Sequence, residues 1–409
     1  MKDDSSNLLI LGASVRAAAF SALRAGVVPV CGDLFGDVDL RAVAETCAVA
    51  NYPAGLMHVA DAAEPADWLY TGALENHPGL IAAVSRRHRL LGNPPKVLAT
   101  VRDPFRVAAM LRAAGLSVLD LRPGNRPPDD GEEWLVKPRR GGGGRGIRTA
   151  KPQPAACGLA AFFQRRVRGT PVAAVFLASR LNCRLIGTTR QLVGEAELHA
   201  APFAYCGSVG PLQLPERLTE QITRTGRTLA TGCELRGLFG VDFVVDKATA
   251  WPIEVNPRYT ASVEVLEYAT GRELLGVHRL ACRTFLETGR STQIEEELHA
   301  LFGGRGAHPD RIIGKGVLFS DRESESVSLD RVWLESSRRQ APRLPAVEAV
   351  PEVADVPNAG AHLHAGEPIC TTFAEGRTVA GCLNRLFERV RGLHDRLGIP
   401  TDGNAGCHF

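Results

Sequence analysis

The sequence predicts an α/β protein that begins as a doubly wound parallel sheet and continues into paired strands with charged ends. Two observations carry that expectation. Residues 7–30 run from an apolar stretch through a tight turn and an Ala-rich helical stretch to a second apolar stretch. Residues 240–245 and 251–255 then read as two strands around a polar Asp246-Lys247 turn. A chain of 409 residues with 44% hydrophobic and 23% charged content has room for two or three globular domains.

The opening strand, Asn7 to Gly12, passes through Ala13-Ser14 into a helical stretch that ends at Leu23, and Val27 to Val30 reads as the next strand. Gly12-Ala13-Ser14 lacks the GxGxxG spacing of a dinucleotide site, so a tight strand-to-helix turn is expected there. The acidic, polar start and short apolar run do not have the form of a secretory signal, and a cytoplasmic protein is expected. No window approaches the length of a membrane span. The net charge of +3 is spread along the chain and excludes the footprint of a nucleic-acid binder. The ten cysteines form no CxxC pair and read as buried reduced thiols.

A turn at Gly92-Asn93-Pro94-Pro95 closes the opening segment. Arg102-Asp103-Pro104-Phe105 follows, with Asp103 expected as N-cap and Pro104 at the first helical position. After a Pro- and Gly-rich loop comes a strand from Glu133 to Pro138, then a strand or helix end at Phe162 to Val167 and a strand from Val172 to Ala178. Arg217 to Leu229 has the pattern of an amphipathic helix. Beyond about residue 300 the texture changes to short strand-like runs at Gly316–Phe319, Ala361–Leu363 and Pro368–Phe373, with a loop from Ser336 to Pro357 and a final helix from Thr378 to Leu397.

Two motifs carry chemistry. Lys is rare here, only six residues, so Lys137 stands out at the end of Trp134-Leu135-Val136-Lys137-Pro138. Five glycines in the six positions Gly141 to Gly146 follow it, including Gly141, Gly142, Gly143 and Gly144. Backbone N–H groups in such a loop can approach phosphate oxygens closely, while a fixed ammonium neutralises their charge. No GK[ST] follows the glycines, so this is not a Walker A loop. The second motif is the strand pair itself. Glu254 and Asn256 are two residues apart and share a strand face, and Asp242 converges with them if the strands pair through the turn. Two carboxylates and an amide oxygen suit Mg²⁺, and Arg258 just beyond is placed to hold a transferring phosphoryl group.

Together these motifs resemble the ATP-grasp superfamily. The resemblance implies an ATP-grasp fold of two α+β lobes at residues 99–295, preceded by a Rossmann-like domain at 1–98 and followed by a small β-rich C-terminal module at 296–409. It implies ATP and Mg²⁺ or Mn²⁺ as cofactors, with Asp242, Glu254 and Asn256 as metal ligands and Lys137 and Arg258 as the catalytic cations. Arg102 falls at a basic nucleotide contact, and Gln164 and Val167 fall on a hinge that meets adenine. Pro171 stands where the family often has a ribose-binding carboxylate. Residues 355–370 resemble the tail of carboligases related to biotin carboxylase, which implies a carboxylate-amine ligase acting through an acyl phosphate, with an amino acid such as glutamate among its small-molecule substrates. A homodimer is the default expectation for such enzymes. The rival readings are an ATP-grasp kinase or carboxylating enzyme, a non-catalytic nucleotide-binding subunit, and a dehydrogenase, which the missing GxGxxG disfavours. His362 and His364 share a strand face but, with no third ligand nearby in sequence, read as a surface pair.

Overall fold

The computed structural model describes residues 7–151, 156–303, 311–325, 329 and 349–397. Five parallel strands form the opening sheet: β1 (Asn7–Leu11), β2 (Val28–Asp33), β3 (Glu45–Ala48), β4 (Asp67–Tyr70) and β5 (Arg89–Leu90), in the spatial order β3-β2-β1-β4-β5. Leu8 to Leu11 are fully buried, as expected of a central parallel strand covered on both faces. The order reverses direction between β1 and β4, so the carboxyl ends of these two strands open a crevice, the usual place for a ligand in such sheets.

A four-stranded antiparallel sheet follows: β6 (Leu121–Pro123), β7 (Trp134–Pro138), β8 (Arg148–Thr149) and β9 (Ala161–Arg165), in the order β6-β9-β7-β8. The helix Pro104–Ala113 precedes it. Asp103 caps that helix, its carboxylate accepting from the backbone N–H groups of Phe105 and Arg106, a cap worth about 1 kcal/mol.

The largest sheet has eight antiparallel strands. From the middle of the chain come β10 (Thr170–Ala178), β11 (Cys183–Val193), β12 (Tyr205–Gly210), β13 (Gly237–Val245) and β14 (Ala250–Asn256). From the C-terminal part come β15 (Ile312–Phe319), β17 (Val353–Ala354) and β19 (Pro368–Gly376), while β16 (Ser324–Glu325) pairs separately with β18 (His362–Leu363). The order is β14-β13-β10-β11-β12-β15-β19-β17, so the C-terminal strands add to the edge of the central sheet at β12. The divisions expected at 98/99 and 295/296 both fall inside helices, Pro95–Val101 and Ser291–Gly303. The loop expected over 336–357 lies largely outside the described residues; its described end contains β17.

Apolar faces join these layers. The helix Glu216–Cys233 buries Leu218, Ile222 and Leu229 against a core that includes Phe176, Phe239 and Phe243 of the large sheet and Trp68 and Tyr70 of the opening sheet. The helix Ala261–Thr270 buries Val263 and Leu266 against the opposite side of the opening sheet, with Leu8, Ile10 and Val175. One shared interior therefore holds the opening sheet against the β13–β14 hairpin, and this fixes the position of the site. Among the described residues no helix is long and apolar enough to cross a membrane. The described cysteines are free, all buried except Cys47 and Cys157.

Candidate nucleotide and metal site

The hairpin β13–β14 sets the carboxylates. Its register places Asp242 opposite Glu254 and Gly240 opposite Asn256, with a bulge immediately after Asp242. Asn256 Nδ2 donates to Asp242 Oδ2 at 3.0 Å, and Gln191 Nε2 on β11 donates to Asp242 Oδ1 at 3.1 Å. Burial, and then the charge of Glu254, push the Asp242 carboxyl up to about 7. Facing carboxylates of this kind gain most from a divalent cation, and hard oxygen donors are what Mg²⁺ prefers. The donor set of Asp242, Glu254 and Asn256 therefore fits the ion expected from the sequence.

The cations stand around this pair. Lys137, buried at the end of β7, donates from Nζ to Gln164 Oε1 and to the Ile253 carbonyl, both at 3.2 Å. Burial lowers its pKa from the ordinary lysine value, opposed by the nearby carboxylates Glu254 and Asp242. Arg102 donates from Nη1 to Glu254 Oε1 at 3.0 Å and from Nη2 to Asn76 Oδ1 and the Gly141 carbonyl, both at 2.9 Å. Arg258 is held by Glu75, whose Oε1 accepts from Nε at 2.9 Å, while Nη2 reaches Asn256 Oδ1 at 3.4 Å. Burial works against the Arg258 charge, but Glu75 overrides it and raises the guanidinium pKa.

The glycine loop closes against the segment before β12. Gly143, Gly144 and Gly146 all have positive φ, and the Gly143 carbonyl accepts from the Tyr205 N–H at 3.1 Å. At Gly144 a Cβ would stand 1.8 Å from the Phe203 carbonyl oxygen, so only glycine fits there.

A cavity of about 670 Å³ collects Lys137, Gly143, Gly144, Gln164, Val167, Asp242, Glu254, Asn256 and Arg258 on its walls. That volume is within the usual range for a cofactor-sized ligand. Leu135, Val167, Val244 and Ile253 supply apolar lining, while Asp242, Glu254, Asn256 and Arg258 supply polar lining. Pro171 lines the same cavity and offers no carboxylate. Arg102, Gly141 and Gly142 line a small adjoining pocket of about 90 Å³ that shares Lys137, Gln164 and Glu254 with the first. Every residue singled out in the sequence for nucleotide or metal is thus brought to one place.

Sequence reasoning missed the residues that hold them. Glu75 and Asn76 lie just past β4, at the carboxyl end of the opening sheet, and reach Arg258 and Arg102 only because that sheet docks on the hairpin. Gln191 sits in an unremarkable strand. Tyr205, Thr260 and Ser262 also line the cavity, and Tyr205, Ser208, Ser262 and Thr189 are linked hydroxyl to hydroxyl at 2.9–3.3 Å. No local spacing marks any of them. The reading of His362 and His364 as a pair without a third ligand is corrected: Glu323, 39 positions before His362, lies against both rings.

Comparison with known proteins follows this geometry. Residues 103–262 match the family described as ATP-grasp domain. Over 119 residues the chain is 31% identical to the carbamoyl phosphate synthase large chain of Neisseria gonorrhoeae, a match covering 29% of this chain and 11% of that protein. The chain's match thus spans about a tenth of the length of that curated relative. The fold is similar to that of L-amino acid ligase from Bacillus licheniformis, with TM-score 0.65 and 15% identity over 95% of this chain and 98% of that one. It is also similar to biotin carboxylase from Campylobacter jejuni, with TM-score 0.61 and 12% identity over 90% and 87%. Residues 103–262 thus match an ATP-grasp domain, and the fold of the chain as a whole is similar to those of the L-amino acid ligase and the biotin carboxylase.

Proposed function

We propose that this chain is an ATP-dependent ligase that activates a carboxylate as an acyl phosphate and joins it to an amine. The observation that carries this reading is the convergence of Lys137, Asp242, Glu254, Asn256 and Arg258 on one cavity closed by a glycine loop. In the first step a substrate carboxylate oxygen attacks the γ-phosphorus of ATP, and the bond to the bridging oxygen of ADP breaks. In the second step the amine nitrogen attacks the acyl carbon, phosphate leaves, and the nitrogen loses a proton. The chain's task is positioning and charge stabilisation. Lys137 and Arg102 hold phosphate oxygens of the nucleotide, the glycine loop covers them, and Arg258 faces the transferring group. Asp242, Glu254 and Asn256 would hold Mg²⁺ or Mn²⁺, which supplies positive charge to the phosphates.

An amino acid such as glutamate is the proposed substrate class. Beside the nucleotide cavity a second opening of about 610 Å³ is lined by Gly72, Ala73, Asn76, Arg140, Arg145 and Arg258 together with the glycine loop. Its three arginines suit a carboxylate. The similar fold of an L-amino acid ligase fits the same class. A homodimer completes the proposal, read by light scattering of the purified protein.

The test is ATP-dependent phosphate release with Mg²⁺ across a panel of amino acids and amines, with products read by mass spectrometry. ADP, phosphate and a condensed product, all lost in Glu254→Ala, are expected. Turnover with bicarbonate and no amine would assign the site to carboxylation instead. Failure to bind Mg-ATP would remove the reading altogether.

A further inference from the structure

A second cluster of ligating side chains lies in the C-terminal part of the chain, on the two-stranded sheet β16–β18. His362 and His364 flank Leu363 in β18 and point to the same side, while Glu323 immediately precedes β16 on the partner strand. The His362 Nε2 lies 2.9 Å from Glu323 Oε2, and the His364 Nδ1 lies 3.0 Å from that same oxygen and 3.1 Å from Oε1. The two rings are nearly perpendicular, at 87°, with centroids 4.6 Å apart. Among the described residues this is the single group of three His, Cys, Asp or Glu side chains whose ligand atoms all lie within 4.8 Å of one another.

We propose that Glu323, His362 and His364 form a binding site for a transition-series divalent cation of the Zn²⁺ class, separate from the magnesium-type site of the nucleotide cavity. Two imidazole nitrogens and one carboxylate oxygen are a borderline donor set, suited to Zn²⁺, Co²⁺ or Ni²⁺ and poorly suited to Mg²⁺. An ion with bonds of about 2.0–2.1 Å in tetrahedral geometry sets its ligand atoms roughly 3.3 Å apart. The two N···O separations to Glu323 Oε2, 2.9 and 3.0 Å, are close to that spacing, and all three ligand atoms lie within 4.8 Å of one another. Different ring nitrogens, Nε2 of one histidine and Nδ1 of the other, are turned toward the same carboxylate oxygen, so the three donors are gathered where one ion could reach them all. Exposed ion pairs contribute little to stability, so pairing alone gives weak reason for two rings to converge on one carboxylate.

The backbone around the site is already fixed. The Glu367 carboxylate accepts from the His364 N–H at 2.9 Å, Gly366 N–H donates to the Ser320 carbonyl at 2.7 Å, and Ser320 N–H donates to the Glu367 carbonyl at 2.8 Å. These bonds hold the β18 side against the approach to Glu323 before any ion arrives, which reduces the ordering cost of binding. The three side chains are about 60% exposed, so water can occupy the remaining positions on the ion. A bound ion would clip residue 323 to residues 362 and 364 and close the chain between them, adding stability of the kind a cross-link provides.

The test titrates Zn²⁺ into the full-length protein, first stripped with chelator, in competition with a chromophoric indicator. The wild type is expected to take up one equivalent that His364→Ala and Glu323→Gln each weaken at least about 100-fold, while Asp242→Asn keeps it. Co²⁺ in the same site is expected to give visible d–d absorption that both variants lose. Zn²⁺ is also expected to raise the melting temperature of the wild type and not that of the variants. Because these side chains are exposed, the variants should melt like wild type in chelator, which separates loss of the site from loss of the fold. No zinc equivalent in the wild type, or one that survives in both variants because thiols or the nucleotide site hold it, would overturn the proposal.

Discussion

Arg102 and Glu254 are joined by an ion pair of 3.0 Å, between the end of the helix Pro95–Val101 and the last strand of the hairpin, 152 residues apart. In the proposed reaction Arg102 serves the phosphates and Glu254 serves the metal, so each must exchange the other for its ligand. Nucleotide and metal should therefore bind with mutual assistance, because the arrival of one frees the group the other needs. Measured by calorimetry, ATP affinity should rise several-fold when Mg²⁺ is present, beyond the effect of chelation by ATP itself. In Arg102→Ala the metal should bind Glu254 more readily in the absence of nucleotide, while ATP affinity falls about 10-fold or more. An Arg102→Ala protein with unchanged ATP affinity would remove Arg102 from the nucleotide site.

How far the sequence reaches can be seen from these same residues. Asp242, Glu254 and Asn256 were legible because a strand alternates with period two and a tight turn folds one strand on the next, so local spacing predicts convergence. Lys137 was legible because a rare residue sits between an apolar strand and a run of glycines. Glu75 and Asn76 were not, since their contacts with Arg258 and Arg102 exist only through docking of the opening sheet on the hairpin. Glu323 was missed for the same kind of reason: it meets His362 across 39 positions of sequence, through the pairing of two very short strands. Strand lengths followed packing too. Gly316–Phe319 was expected, whereas β15 runs Ile312–Phe319 because pairing with β12 and β19 overrides the weak strand preference of Gly314, Lys315 and Gly316.

Asp242 supplies a pH dependence. Burial and Glu254 raise its carboxyl to about 7 from an ordinary value near 3.8. The folded chain thus binds more protons than the unfolded chain between those values, and the Asp242 contribution to stability is present below about 4 and lost as pH rises through about 7. Metal binding runs the other way, because the ion needs the deprotonated carboxylate. Mg²⁺ or Mn²⁺ affinity should therefore rise steeply from pH 6 to pH 7 and level off by pH 8. Asp242→Asn should bind the ion weakly at every pH and lose most of this slope. A wild-type affinity that stays flat across the range would remove Asp242 from the metal set.

The glycine loop offers a graded series. Gly142 has open space around a Cβ; Gly143 has open space but φ of +61°; Gly144 has φ of +80° and the Phe203 carbonyl at 1.8 Å from a Cβ. Gly142→Ala should leave KM for ATP near wild type. Gly143→Ala should cost about 1–2 kcal/mol of loop strain, a several-fold to ~30-fold change. Gly144→Ala adds a clash with backbone and should raise KM for ATP the most of the three. Melting temperatures should change least for Gly142→Ala. Equal effects at all three positions would show that the loop conformation seen here does not matter for nucleotide binding.

Arg16 lies fully buried where the opening sheet, the helix Ala261–Thr270 and the C-terminal strands meet. It is paired with Glu264 and, at 2.8 Å, with Asp355, while Lys315 Nζ on β15 reaches Glu264 Oε2 at 2.7 Å. Glu264 therefore neutralises two buried cations from two different parts of the chain. Removing it leaves Arg16 short of one partner and Lys315 without the Glu264 carboxylate, and breaking a buried pair from one side costs about 3–5 kcal/mol. Removing Lys315 instead leaves Glu264 paired with Arg16, which it then shares with Asp355 and, at 3.7 Å, with Asp39, so each carboxylate keeps a cation and the loss should be smaller. Urea unfolding of Glu264→Ala and Lys315→Met tests this asymmetry, with the larger drop in midpoint expected for Glu264→Ala. If Lys315→Met proved as damaging, Lys315 would matter for its packing over the Phe373 ring, 5.7 Å from the centroid, more than for its charge.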